Sequence, residues 1–396
     1  MPHTFHPQDK EQNAPSFHEL WQPVENTFIG MPPLEARGNR SLQMDFEHQL
    51  KALVFYHLEE HTSGRHLLQV LEEDDFAREV IAPPSGIKKS SFFEAINSRG
   101  LEQLTYVFQQ LQAKATKILP REHAELGNLI VIDGTLIDAV LSMHWADYRN
   151  NCKKAKVHLG FDINQSIPSK IFFTDGKADE RPFVSQILLP GQTGVLDRYY
   201  QCHKDFDLWQ TEGKYFACRI RENTNKTCIK SNTVKPGSIV FYDAMVLLGT
   251  PGANQTAEEL RVVGYRIDNK VYWIATNRYD LSAEEIATVY KLRWNIEIFF
   301  GWWKRHLKVY HLIARSKRGL MAQILGGLIT YLLLAIYCHE HYKEKVSIKR
   351  VRELRIKIQN EARNLENNLP TPPCQQTGIH NLKNLKEQKW HSYAIT

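Results

Sequence analysis

Residues 128–135 read NLIVIDGT, a short and wholly apolar run that ends on an acid, Asp133. Such a run, bounded by Gly134, reads as a strand rather than a helix. It marks a change of periodicity. From about Leu42 to Leu126 the spacing is helical: MDFEHQLKALVFYHLEEH and HLLQVLEEDDFAREVI, a break at Pro83–Pro84, then SSFFEAINSRGLEQLTYVFQQLQAKATKIL. Ser91 and Glu94 have the spacing of a capping box. Residues 1–40 look irregular, and the polar start MPHTFHPQDKEQNAPSF reads as frayed.

After Asp133 the character is mixed. KAKVHLGFDI and SKIFFTDG are strand-like and are joined by the turn-like NQSIP. ERPFVSQILL reads as a helix, TGVLDRYY as a strand reaching Asp197, HKDFDLWQTEG as a helix and KYFACRIR as a strand. Three strands, helix, strand, helix, strand is an α/β order. Residues 222–278 supply GSIVFYDAMVLLG, LRVVGYRI and VYWIATNRY, which predict a β-rich insertion. Trp273 in this segment reads as a packed strand residue. Ser282 with Glu285 then predicts a capped helix start. The sequence contains no internal repeat.

The formal net charge of +6 hides an asymmetry. Residues 301–396 hold 17 Lys and Arg against 6 Asp and Glu, whereas residues 1–300 hold 33 against 38. The basic C-terminal quarter suits a polyanion, and nucleic acid is the commonest one. A solvated basic surface is the plainer alternative. The six cysteines, Cys152, Cys202, Cys218, Cys228, Cys338 and Cys374, form no C-x-x-C pair and no zinc spacing. Scattered thiols without a signal peptide predict a reducing cytoplasm. Leu320–Cys338, LMAQILGGLITYLLLAIYC, approaches the length of a membrane span but is interrupted by Gln323 and Gly326–Gly327, and predicts a buried core helix. The tail from Leu369, LPTPPCQQTGIHNLKNLKEQKW, is rich in Pro and polar residues and predicts loose order.

Tyr290–His311, YKLRWNIEIFFGWWKRHLKVYH, keeps one acid among several bases. On a single helix turning about 100° per residue, with Tyr290 at the origin, Arg293 falls at about −60°, Glu297 at about −20° and Lys304 at about −40°. Those residues share one stripe, with Gly301, Lys308 and His311 on or beside it. Leu292, Ile296, Phe299, Trp302, Trp303 and Leu307 point elsewhere. The plain explanation is an Arg293–Glu297 ion pair, worth a few tenths of a kcal/mol. The sharper one is a metal-and-phosphate seam. Phosphodiester chemistry with two divalent ions needs several converging carboxylates, and such acids would repel one another without the ions. Asp133 and Asp197 each end a strand, where α/β proteins place chemistry. Asp133–Gly134 could instead be a hairpin turn and Asp197 a cap. Asp138, Asp175 and Asp179 are rivals. A ribonuclease-H-like layout carries acids on its first strand, fourth strand and last helix, and the strand order gives Asp133, Asp197 and Glu297 those places.

At these residues the sequence resembles a known family. Tyr290, Arg293, Glu297 and Lys304 match the Tyr-Arg-Glu-Lys signature of bacterial insertion-sequence DDE transposases of the "insertion sequence four" group. VIDGT around Asp133, LDRYY around Asp197, TDGKADE and ATNRYDLSAEEIATVYKLRWNIEIFF are similar to further segments of that family, over about residues 128–335. Two positions depart from its pattern: Tyr199, often small there, and Ala178, often histidine. The resemblance implies a ribonuclease-H-like catalytic core at 127–221 and 279–340, the β-rich insertion at 222–278, a helical N-terminal domain (1–126) for binding DNA ends, and a basic helical C-terminal region and tail (341–396). It implies that Asp133, Asp197 and Glu297 are catalytic and bind two Mg²⁺ or Mn²⁺ ions. Tyr290, Arg293, Lys304, Lys308 and Arg198 would contact DNA. The implied function is metal-dependent cleavage and strand transfer at insertion-element ends. DNA, as terminal inverted repeats and target, is the implied partner, with a homodimer in synapsis, no membrane, and a cytoplasmic, nucleoid-associated location. A hydrolysis-only nuclease of the same fold and an inactive transposase-derived DNA-binding protein are the alternatives.

Overall fold

The computed structural model describes residues 14–35, 41–59, 61–140, 143–149 and 152–368. The expectations for residues 1–13 and for the tail from Leu369 lie outside the described residues. A ten-stranded mixed sheet organises the chain. Its first six strands are β1 (Asn128–Asp138), β2 (Asp147–Arg149), β3 (Cys152–Asp162), β4 (Ile167–Asp175), β5 (Gln192–Leu196) and β6 (Tyr215–Arg219). Four more follow: β7 (Lys226–Ser231), β8 (Val240–Leu248), β9 (Leu260–Ile267) and β10 (Lys270–Thr276). The order across the sheet is β2-β3-β1-β5-β6-β10-β9-β8-β7, with β4 paired to β3. Among the described residues only β1–β5 and β5–β6 are parallel. The strands of residues 222–278 continue the same sheet, because β10 pairs antiparallel with β6 from Ile274↔Arg219 to Thr276↔Ala217.

The apolar run that opens β1 is buried on both faces. Leu129 and Val131 join one core cluster, while Ile130 and Ile132 join the other. Side chains alternate along a strand, so the run serves two layers at once. The second layer is covered by α6 (Val184–Ile187) and α7 (His203–Thr211), with Trp209, Phe206 and Phe216 packed together. Half-buried Trp273 packs at the edge of this layer against Phe241 and Tyr242.

The first layer is helical. Its N-terminal helices are α1 (Pro15–Glu25), α2 (Phe46–Leu58), α3 (Gly64–Glu73), α4 (Lys89–Ser98) and α5 (Leu101–Ile118). They share one apolar cluster with β1, β3 and the C-terminal helices. The C-terminal helices are α8 (Ala283–Lys291), α9 (Trp294–His306), α10 (Lys317–Tyr342) and α11 (Ile348–Asn368). The Ser282–Glu285 capping box forms as expected. The Ser91–Glu94 box does not: α4 begins earlier, at Lys89, and Glu94 instead pairs with Arg99. Helix α10 is apolar all round, and 94% of its most apolar window is buried, which is how a core helix differs from a surface one.

Gln323 shows how α10 accommodates a buried amide. Its Oε1 accepts from Ile313 N (3.0 Å) and Ala314 N (3.4 Å), and its Nε2 donates to His311 O (2.7 Å). The amide thereby fixes the chain just ahead of α10. Gln323→Leu would leave Ile313 N and Ala314 N without that partner, at about 1–3 kcal/mol each, while His311 O keeps the Tyr56 hydroxyl. We expect a loss of about 2–4 kcal/mol, read as a lower urea midpoint at unchanged slope.

Candidate active site

The parallel pair β1–β5 sets the site. Its register runs Asn128↔Gln192 to Val131↔Val195. Continued two residues, it brings Asp133 level with Asp197, about 5 Å apart between neighbouring strands. Both then project to the face of Val131 and Val195, the helical layer. Asp133 does not end its strand. β1 runs on to Asp138 because β3 keeps pairing with it (Asp133↔Leu159 to Asp138↔Lys154), whereas β5 stops at Leu196. Asp133 therefore sits where the parallel sheet ends, and a hairpin turn at Gly134 is ruled out. Asp197 does cap: its Oδ1 accepts from Tyr199 N at 2.8 Å and starts a short 3₁₀ turn, Arg198–Tyr200.

Glu297 comes from the helical layer. The Tyr290–His311 stretch is not one helix. It breaks at Leu292–Arg293, where Arg293 N bonds Tyr290 O and Asn295 N bonds Leu292 O, a tighter i→i−3 pattern. The stripe computed on a continuous helix therefore holds only within α9, for Glu297, Gly301 and Lys304. Helix α9 ends at His306, and Lys308 follows in a loop with φ of 50°, so Lys308 and His311 leave the stripe. The exposed face is also broader than a seam, since Trp294 and Ile298 are each 58% exposed. Ile296, Phe299, Trp303 and Leu307 are buried as expected.

The break aims Arg293 at the acids. Its guanidinium pairs with Glu297 and lies 3.6 Å from Asp133 Oδ2. One cation thus bridges the strand acid and the helix acid. Burial raises the Asp133 carboxyl to about 7; the Gly134 N–H bond and Arg293 oppose this, while Asp197 and Glu180 add to it. Lys304 Nζ donates to Leu136 O (2.8 Å) and Thr135 Oγ1, tying α9 to β1 just beyond Asp133. Burial lowers its pKa, with Lys154 adding and Asp138 opposing. Tyr290 is buried and lines a cavity of about 340 Å³ with Arg219, Tyr272 and Trp294. Arg198 is exposed beside Asp197.

The rival acids are locally engaged. Asp138 pairs with Lys154 (2.6 Å), Asp179 with Arg181 (2.7 Å), and Asp175 Oδ1 accepts from Lys177 N (2.9 Å). One acid absent from the sequence reading stands close by. Glu180 accepts from Tyr200 Oη (2.8 Å) and pairs with Lys156 (3.1 Å). It packs on Gly134 so closely that a Cβ there would meet its carboxyl at 2.6 Å. Gly134 faces the opposite layer from Asp133, so Glu180 buttresses β1 from behind. Only the residue type at 134 could have hinted at this.

Among the described residues no group of three or more His, Cys, Asp or Glu side chains is already gathered as a metal cage. The donor set nevertheless has the right chemistry: hard carboxylate oxygens, one on β1 and one just past the end of β5, with a guanidinium where positive charge is needed.

The match to known proteins falls on this same segment. The transposase DDE domain model matches residues 125–333, and the chain belongs to that family. It is 26% identical over 223 residues to a Geobacillus stearothermophilus protein described as "Probable transposase for insertion sequence element IS5377", covering 56% of this chain and 59% of that one. It is 20% identical over 342 residues to the "Transposase for insertion sequence element IS231B" of Bacillus thuringiensis subsp. berliner, covering 70% of each. The chain thus spans less than two thirds of the first of these relatives.

The raised Asp133 carboxyl carries a pH signature. Its folded value of about 7 lies above its unfolded value of about 3.9. Between those pH values the folded state holds more protons, so stability falls as pH rises, and the full penalty is present above about pH 7. Asp133→Asn should remove that slope and gain about 2–4 kcal/mol relative to wild type between pH 4 and 7.5. Urea unfolding at both pH values, without metal, measures it.

Proposed function

We propose that this protein is a transposase that cuts and joins DNA at the ends of an insertion element, with Asp133, Asp197 and Glu297 as ligands of two Mg²⁺ or Mn²⁺ ions. The observation that carries the reading is the bridge from α9 to β1: Arg293 joins Glu297 to Asp133, and the β1–β5 register, continued two residues, brings Asp197 level with Asp133. The order β3-β1-β5-β6, antiparallel then parallel about β1, supports a ribonuclease-H-like core at residues 127–221 and 279–340. In this reading residues 1–126 form the DNA-end-binding part, residues 222–278 an extension beside the site, and residues 341–396 a basic flank.

When bound, the divalent ions would supply Lewis-acid stabilisation at phosphorus and lower the pKa of an attacking water or 3′-OH. The chain's own residues do the positioning. Asp133 and Asp197 are held by the sheet, so their separation is set before DNA arrives. Glu297 is carried by a helix that Lys304 pins to β1. Arg293 neutralises the acids until Glu297 turns from it, and is then placed to meet a phosphate oxygen. Exposed Arg198 lies on the same rim. Lys304 reaches DNA only by exchanging its bonds to Thr135 and Leu136, so its first role is to position β1. Lys308, on the loop after α9, would contact the backbone farther out. Synapsis of two ends would pair two copies of the chain.

Glu297→Gln tests this. We expect it to retain binding to inverted-repeat DNA and to lose Mn²⁺-dependent cutting by more than the about 10–100-fold typical of removing an outer-shell partner. Gel shift and end-mapping of the products measure both. Undiminished cutting by the variant removes Glu297 from the chemistry. Wild-type products that end in hydrolysis without joining identify a nuclease. Absence of any metal-dependent cutting identifies an inactive derivative.

A further inference from the structure

Beyond Asp197 the chain builds a second, polar cavity of about 490 Å³ at the ends of β5, β6 and β8. Its rim carries Lys204, Arg221, Asn223, Asn225, Asn254 and Gln255, and no carboxylate lines it among the described residues. It offers paired donors and acceptors together with positive charge.

The cavity is braced from below. Gln201 Nε2 donates to His203 Nε2 and to Thr224 Oγ1 (both 3.0 Å), while its Oε1 accepts from Arg221 N (2.9 Å). His203 Nδ1 donates to Asn254 O (2.6 Å), so the neutral ring keeps Nε2 as the acceptor for Gln201. Asn254 Oδ1 accepts from Thr250 N (2.8 Å), and Gly249 N donates to Asn225 O (2.9 Å). The approach is close enough to require glycine. Gly249 has φ of 108°, and a Cβ there would lie 2.4 Å from Asn254 O and 2.6 Å from His203 Nδ1. Three loops are thus locked to one amide. Among the described residues the side chains of Lys204, Arg221, Asn223 and Asn225 make no hydrogen bond or ion pair of their own. The brace is satisfied and those four rim side chains are free, while Gln255 Nε2 donates to Thr227 Oγ1 at 3.4 Å.

We propose that this cavity reads base edges of the DNA close to the scissile phosphate. The inference rests on the metal-dependent DNA reading of Asp197 for its placement. Gln201 is four residues from Asp197, so the cavity floor lies within about 14 Å of that acid along the chain, roughly four base-pair steps at about 3.4 Å each. Asn and Gln amides pair with the N6 and N7 edge of adenine, and Arg or Lys with the O6 and N7 edge of guanine. A rim of amides with two cations and no carboxylate therefore favours purines. The bases recognised belong either to the element end and its flank or to the target duplex, and the chemistry is the same for both.

The test uses the full chain in EDTA, so that it needs no catalysis. Wild type, Asn225→Ala, Gln255→Ala and Arg221→Ala each select bound DNA from two pools. One carries an element end with randomised positions on both sides of the junction, and the other is a randomised target duplex without an end. Wild type should enrich a purine at one or more positions within about four base pairs of the junction or target centre. At least one variant should lower that enrichment about tenfold, the usual worth of a bidentate base contact. The pool that responds tells element from target. Unaltered enrichment in all three variants, no enrichment by wild type, or no binding by wild type overturns the proposal. Thermal unfolding of each variant excludes a folding defect, since all three residues lie on the rim. Mn²⁺-dependent cutting of the same pools by wild type reports on the acids separately, so the two readings fail in different assays.

Discussion

A carboxyl, Asp133, is buried where the parallel sheet ends, with Asp197 just past the end of the neighbouring strand, and the surrounding architecture answers that charge. The register of β1 and β5, continued two residues past Val131↔Val195, brings Asp133 level with Asp197. Asp133 responds by holding its proton to about pH 7, chiefly through burial. Arg293 then brings a permanent positive charge to within 3.6 Å of it. That guanidinium is available because the helical stretch breaks at Leu292–Arg293. Arg293 keeps the i,i+4 pair with Glu297 and adds the contact to Asp133. The break turns a common i,i+4 pair into a link between layers.

The link needs a rigid frame, and the frame is shared. β1 is packed from both sides, α9 lies against Phe161 through Phe299, and Phe299 packs in turn on Tyr331 of α10. Tyr331 Oη donates to Ser166 O (2.9 Å), at the turn between β3 and β4. Movement of Glu297 therefore draws on the same contacts that close the core. Side-chain rotation of Glu297 away from Arg293 is the inexpensive change; displacement of α9 is not.

Much of this was legible in the sequence because it rests on local pattern. The apolar run at Leu129–Ile132, the alternation of strands and helices to KYFACRIR, and the buried nature of Leu320–Cys338 all follow from periodicity and length. Their places in that order made Asp133, Asp197 and Glu297 candidates, beside Asp138, Asp175 and Asp179. What could not be read depends on pairing between distant segments. Nothing local shows that β3 carries β1 past Asp133, that β10 joins residues 222–278 to the main sheet, or that Glu180 stands behind Gly134. The break at Arg293 is likewise tertiary: Leu292 and Arg293 are good helix formers, so propensity argued for one helix and packing decided for two.

The enclosure of α10 has a consequence for damaged copies of the gene. The helices of residues 15–118 and this helix cover one another within a single apolar cluster. A product lacking the N-terminal part would present a stretch with mean hydropathy of 2.0 over its most apolar window and nothing to shield it. Such a fragment would aggregate or enter a bilayer instead of persisting as a folded monomer. Loss of residues 15–118 therefore uncovers the apolar helix and removes the partner surface that keeps the remaining chain from associating.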